Sequence, residues 1–133
     1  MGKRAPPEVL IVEDQSMTRM AAADAISDTG LNVREAGDAD EALQAMDAYP
    51  DIGVLFTDIQ MPGQINGLEL AKQVHNDRPD VELIVTSGEI RVKDSELPDH
   101  GTFLSKPYHP SRLIEVVEKK VASRSDKSDS LSS

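Results

Sequence analysis

Ile52-Gly-Val-Leu-Phe-Thr-Asp58 is an unbroken apolar run closed by an acid. A strand that keeps one face in water alternates polar and apolar residues; a run without alternation is buried on both faces, which is the condition of a strand inside a parallel sheet. Two further runs of the same kind lie outward from it. Val9-Leu-Ile-Val12 is followed by Glu13-Asp14, and Thr102-Phe-Leu-Ser105 by Lys106-Pro107. Open parallel sheets carry their chemistry at the carboxyl ends of the strands, so Glu13, Asp14, Asp58 and Lys106 are expected on one rim. Two carboxylates about 5 Å apart repel by about 3 kcal/mol at an effective dielectric of about 20. A hard divalent cation would relieve this, and Mg2+ is the expected ion.

Between the runs lie segments of helical character, and the alternation means an open α/β sheet. The spacing predicts strands over 8–13, 32–36, 52–57, 81–86 and 102–105, and helices over 17–29, 39–48, 67–76 and 110–122. A further, weak helix is expected over 89–97, where strong helix formers are few and Pro98 stops it; it should be short or mobile. Ser16 is the expected cap of the first helix and Gly30 its stop, and Asp38 with Glu41 reads as an acidic capping box. Gly63 and Gly67 read as turn glycines. Pro110 suits a first turn, and Leu113, Ile114, Val117 and Val121 form an apolar stripe that reads as core.

At 133 residues the chain is expected to form one domain over 8–122, with 1–7 and the polar tail 123–133 disordered. It has no cysteine, which removes disulfides, thiolate catalysis and zinc–thiolate sites and suits a cytoplasmic setting. No apolar stretch of signal-peptide length follows Lys3-Arg4, and Pro6 stands where a myristoylation site needs Ser or Thr. The expectation is a soluble, unanchored chain with no membrane partner. A net charge of -10 argues against nucleic acid as a partner, because that affinity comes mostly from Lys and Arg displacing counterions. His75, His100 and His109 share no motif and read as surface residues.

Taken in order, Glu13-Asp14, Asp58 with Met61-Pro62 beyond it, Ser87-Gly88 and Lys106-Pro107 resemble the response-regulator receiver domain over residues 8 to 122. The resemblance implies a flavodoxin-like (βα)5 fold, with five parallel strands in the order 2-1-3-4-5 and five helices on both faces. It implies that Asp58 accepts a phosphoryl group from a phosphohistidine on a sensor kinase or a histidine phosphotransfer protein. Mg2+ would be held by Glu13, Asp14, Asp58 and the backbone carbonyl of Gln60. Lys106 would pair with one phosphoryl oxygen and Ser87 with another, Thr86 being the alternative hydroxyl. Phe103 stands where such domains carry a switching aromatic, Gln60 and Glu89 where side chains tune the lifetime of the phosphate, and the Lys106-Pro107 bond would be cis.

Two departures accompany the resemblance. Met61-Pro-Gly-Gln-Ile-Asn-Gly67 is a residue longer than the common form, with Asn66 where Asp is usual, and the stretch from Ser87 to Lys106 is about a helical turn shorter than in chemotaxis regulators. Together they resemble the stand-alone and two-part receivers found with alphaproteobacterial sensor kinases. The implied role is a single-domain switch rather than a turnover enzyme, acting on a downstream protein through the fourth helix, fifth strand and fifth helix. A phosphorelay shuttle or a phosphate sink uses the same chemistry, and a phosphate-independent interaction module is the reading of another class. A Mg2+-dependent aspartyl-phosphate phosphatase would want a second acid two residues after Asp58, where Gln60 stands.

Overall fold

The computed structural model describes residues 6–98 and 101–132, with side chains through Arg124. In chain order the elements are β1 (Glu8–Val12), α1 (Ser16–Ser27), β2 (Val33–Ala36), α2 (Ala39–Ala48), β3 (Ile52–Asp58), α3 (Gly67–Asp77), β4 (Glu82–Ser87), a 3-10 turn (Asp94–Glu96), β5 (Thr102–Ser105) and α4 (Pro110–Ser132). The five strands are parallel and ordered β2-β1-β3-β4-β5. Successive side chains of a strand point to opposite faces, and the core divides accordingly. Leu10, Val12 and Leu55 pack with α2 and α3 residues such as Met46 and Leu70, whereas Val9, Ile11 and Phe56 pack with Ile26 of α1 and Leu113 of α4. Every residue of β3 is buried.

The register brings the strand ends level: Val12 pairs Thr57, Asp58 pairs Thr86, and Ser87 pairs Ser105. The residues that follow therefore emerge along one edge. Two of the turns that hold this edge have clear local causes. Asn66 accepts from Glu69 N while Glu69 returns a bond from the Asn66 backbone, a complete capping box at the start of α3. At α2, Asp38 accepts from Glu41 N at 2.8 Å, but the Glu41 carboxylate takes Gly37 N at 2.6 Å, one residue further back than a standard box.

Several expectations need correction. Among the described residues there are four α-helices instead of five, because Glu89–Leu97 contributes only the 3-10 turn. Apolar residues there are too few to hold a helix to the core: Leu97 is buried and Val92 half-buried, but Ile90 is 44% exposed. The expected output surface is consequently built from this connection, β5 and α4. Ser16 is the first helical residue rather than the cap of α1; Gln15 is the cap, and its longer side chain makes no capping bond. That helix ends at Ser27, and Gly30 follows in the left-handed region at φ 94°.

Gly67 is not a turn glycine but the first residue of α3. A Cβ there would lie 1.8 Å from the Asp58 carbonyl oxygen, so only a bare α-carbon lets the helix abut the strand. Gly63, at φ 115°, does serve the turn. The buried face of α4 includes Val116 beside Leu113 and Val117, while Ile114 and Val121 are only half-buried. The α4 backbone is helical through Ser132, where disorder was expected from 123; no Gly or Pro interrupts 111–132. The expectations of disorder over 1–5 and at 133, and the reading of His100, lie outside the described residues. No helix among the described residues is long and apolar enough to cross a membrane.

Candidate functional site

Asp58 is the last residue of β3 and is almost fully buried. One carboxylate oxygen, Oδ1, accepts the backbone N–H of Gln60 at 3.2 Å. The other, Oδ2, accepts from Lys106 Nζ at 2.8 Å, and the same ammonium donates to Glu13 Oε2 at 3.0 Å. Lys106 reaches this position because its backbone N–H extends the β4–β5 ladder to Ser87 O at 3.0 Å, and the bond to Pro107 that turns the chain away is cis. Glu13 enters by the same logic, with its N–H on Ala36 O at 3.1 Å. Asp14 projects into solvent beside it.

Carboxylate oxygens of Glu13, Asp14 and Asp58 lie within 4.8 Å of one another, and the Lys106 ammonium pairs with only two of the three acids, Glu13 and Asp58. Burial, and then the proximity of Asp58, push the pKa of Glu13 up to about 6 even though Lys106 opposes the shift. For Lys106 burial works against the charge, but the ion pairs with Asp58 and Glu13 outweigh it and raise its pKa. The rim therefore has an unmet demand for positive charge. Hard oxygen donors with one member open to water match the coordination that Mg2+ prefers, few protein ligands and several waters.

The neighbouring hydroxyls differ in what they face. Thr86 Oγ1 is buried and donates to Leu104 O at 2.6 Å, within the sheet. Ser87 Oγ lies on the rim, where it accepts from Glu89 N at 3.2 Å and Ile90 N at 3.0 Å and donates to Gln60 Oε1 at 3.3 Å. Gln60 Nε2 in turn donates to Glu89 Oε2 at 2.8 Å. Gln60, Ser87 and Glu89 are thus one chain of hydrogen bonds spanning the exits of β3 and β4. Phe103 sits apart, half-buried against the α2–α3 side of the core, with its N–H on Asp94 Oδ1 at 2.8 Å.

Residues 9–118 match the response regulator receiver domain family. The chain belongs to that family. Among curated relatives of this receiver, the chemotaxis protein CheY of Thermotoga maritima is 32% identical over 124 residues, covering 90% of this chain and 98% of that protein. The response regulator receiver protein CpdR of Brucella abortus is 30% identical, covering 84% of this chain and 93% of its own. Among solved structures, a response regulator receiver protein from Pseudomonas putida superposes with a TM-score of 0.77 at 30% identity, covering 88% of this chain and 99% of that one. A receiver is a signalling domain of two-component systems and not a turnover enzyme in the ordinary sense.

Two residues of this receiver's site escaped the sequence reading. Tyr108 packs edge-on against Phe56 with ring centroids 5.9 Å apart, and burial raises its pKa. It also lines an apolar groove of about 660 Å3 that runs from Met17 and Ala21 of α1 to Pro110 and reaches Lys106. Arg19 donates to the Glu13 carbonyl at 2.8 Å. The only signal for Arg19 was a cation one turn into the helix after the acid pair. Of the histidines, His75 lies in the last turn of α3, and His109 Nδ1 accepts from Ser111 N at 3.1 Å at the start of α4.

Proposed function

We propose that this receiver takes a phosphoryl group on Asp58 from a phosphohistidine of a sensor histidine kinase or histidine phosphotransfer protein, and that the mark switches a protein-binding surface. The observation that carries the reading is the Lys106 ammonium held at 2.8 Å from Asp58 and 3.0 Å from Glu13, a cation preorganised where phosphoryl charge would accumulate. An Asp58 oxygen attacks phosphorus, the P–N bond breaks, and the electron pair stays on the imidazole nitrogen, which takes up a proton. The acyl phosphate is later cleaved by water, returning the carboxylate and inorganic phosphate. Glu13, Asp14, Asp58 and the Gln60 backbone carbonyl would hold Mg2+, which when bound offsets the negative charge of the phosphoryl oxygens. The setting on this reading is the cytoplasm.

Ser87 is the hydroxyl we assign to the phosphoryl group, since Thr86 donates into the sheet. To donate there, Ser87 must give up Gln60 Oε1, and movement of its oxygen withdraws the acceptor of Glu89 N and Ile90 N. The connection that begins at Glu89 is then free to rearrange, and Phe103, tied to it through Asp94, follows. A switch from mostly off to mostly on requires about 5.5 kcal/mol of differential stabilisation, within the range of several charge-assisted bonds. The surface changed is that of the connection, β5 and α4, and the downstream partner reads it there. Glu89 and Gln60, beside the same phosphate, set its lifetime.

The test is phosphorylation by acetyl phosphate, with and without Mg2+, followed by intact mass. Wild type is expected to gain one phosphate only with Mg2+, and Asp58→Asn none. Addition that survives in Asp58→Asn, or none to wild type from either acetyl phosphate or a cognate kinase, would overturn the reading in favour of a phosphate-independent module.

A further inference from the structure

We infer that Arg19 is a positioning residue for the Mg2+ site, acting through the Glu13–Asp14 turn; the inference rests on the function proposed above. Asp14 is exposed, and among the described residues its carboxylate has no hydrogen-bond or ion-pair partner. Its direction is therefore set by backbone alone. That backbone is fixed at two points: Glu13 N donates to Ala36 O at 3.1 Å, and Arg19 Nη1 donates to Glu13 O at 2.8 Å. The second bond fixes the plane of the peptide joining Glu13 to Asp14, and with it the direction in which Asp14 leaves the chain.

Arg19 is itself held. Its Nε pairs with Glu35 Oε1 of β2 at 3.2 Å, and the guanidinium lies over Gly37, where an added Cβ would stand 3.4 Å from Nη1. The planar fork of arginine suits this task, because two of its nitrogens bind two partners in fixed relative geometry. Three elements thus converge on the turn: α1 supplies the guanidinium, β2 its anchor, and the β1 exit the carbonyl. Residues that orient metal ligands in this way typically alter metal affinity by 10-fold to 100-fold when removed.

The sign of the effect separates positioning from charge. Arg19 is a cation beside a cation site, so electrostatics alone predicts that its removal tightens Mg2+. Positioning predicts the reverse. Titration calorimetry with Mg2+ on the full chain is expected to give a Kd about tenfold weaker for Arg19→Ala than for wild type, with Arg19→Lys, which keeps the charge and one donor but not the fork, in between. The Mg2+ concentration for half-maximal labelling by acetyl phosphate should rise by the same factor while the rate at saturating Mg2+ is unchanged. A general loss of structure would lower both.

An unchanged or tighter Kd in Arg19→Ala overturns the inference while leaving the proposed function in place. Wild type that does not bind Mg2+ overturns both. Should Arg19→Ala fail to fold in a urea melt, Arg19→Met, which removes the cation and its donors but keeps the unbranched stem, carries the test. It is expected to weaken Mg2+, where charge alone predicts tightening, and no weakening in it counts against the positioning role.

Discussion

The exits of β3 and β4 lie side by side on one rim and are built in opposite ways. After β3 the chain is locked: Ile59 is buried with its N–H on Thr86 O, Gly67 N donates to Ile59 O, and α3 starts with a complete capping box against the Asp58 carbonyl. After β4 the backbone leans on one serine hydroxyl, and from Glu89 to Glu96 all side chains are exposed except that of Val92, which is half-buried. The proposed acceptor thus stands on the rigid exit and the proposed responder on the soft one. Precise geometry needs over-determined support, and a segment that must move is drawn from the weakly packed end of the stability range.

Two glycines test the contrast most sharply. Gly67→Ala would put its Cβ 1.8 Å from the Asp58 carbonyl oxygen, a clash with backbone that cannot be relieved by a rotamer, and is expected to cost about 3 kcal/mol or more in a urea melt. Gly88→Ala meets only Lys106 Cβ at 3.6 Å and is expected to stay within about 0.5 kcal/mol of wild type. Equal costs would dissolve the distinction between the exits. Next in size is Lys106→Met, which leaves Glu13 and Asp58 facing each other without their shared cation. Lys106 is partly open to solvent, so a loss of about 2 kcal/mol in EDTA is expected, with part of it recovered in Mg2+. No recovery with Mg2+ would argue that the metal does not sit among these acids.

Smaller still is the helix cap. Asn66→Ala removes the side-chain acceptor of Glu69 N that starts α3 and should cost about 1 kcal/mol. Comparable in size is the pH dependence of the metal-free protein. Glu13 has its folded pKa raised to about 6 from 4.5, so the folded state binds the proton more tightly than the unfolded state. Its ionised form is a penalty present in full above about pH 6, and the penalty is relieved as pH falls through that value toward 4.5. Melts in EDTA should therefore show this site's contribution improving by about 1 kcal/mol from pH 7 to pH 5, and Asp58→Asn, which removes the neighbouring carboxylate, should flatten the trend and be more stable at pH 7 by about 1 kcal/mol. An opposite slope that persists in the mutant would show that acid crowding is not felt.

The strands and their rim residues were legible because a parallel strand buried on both faces prints a continuous apolar run, and its last residue has nowhere to go but the edge. Glu13, Asp14, Asp58 and Lys106 could be placed together on that ground alone. The helix boundaries were less legible, since Gln15 caps α1 without a side-chain bond and Gly67 looks like any turn glycine until the strand behind it is known. Glu89–Leu97 read as weak; that it would hold only a 3-10 turn depends on how few of its residues find the core, Leu97 fully and Val92 in part. Arg19 and Tyr108 were invisible for a common reason: their partners come from other elements, and no spacing records a tertiary contact.

The smallest expected effect bears most directly on how the two exits communicate. Gln60, on the rigid side, accepts from Ser87 and donates to Glu89 on the soft side, the first bond part-buried and the second exposed to water. Exposed hydrogen bonds contribute little to global stability, so Gln60→Ala should stay within about 0.5 kcal/mol of wild type in a melt. Locally the change is larger in kind, because Ser87 loses the acceptor that fixes its hydroxyl, and Glu89 loses the side chain that donates to its carboxylate. Hydrogen exchange at the amides of Glu89 and Ile90, whose acceptor is Ser87 Oγ, should quicken severalfold while the amide of Gly67, on Ile59 O, is unaffected. Exchange that quickens equally at Gly67 would mean that Gln60 holds the whole rim together; exchange unchanged at Glu89 and Ile90 would mean that the serine turn holds the soft exit without help from across the rim.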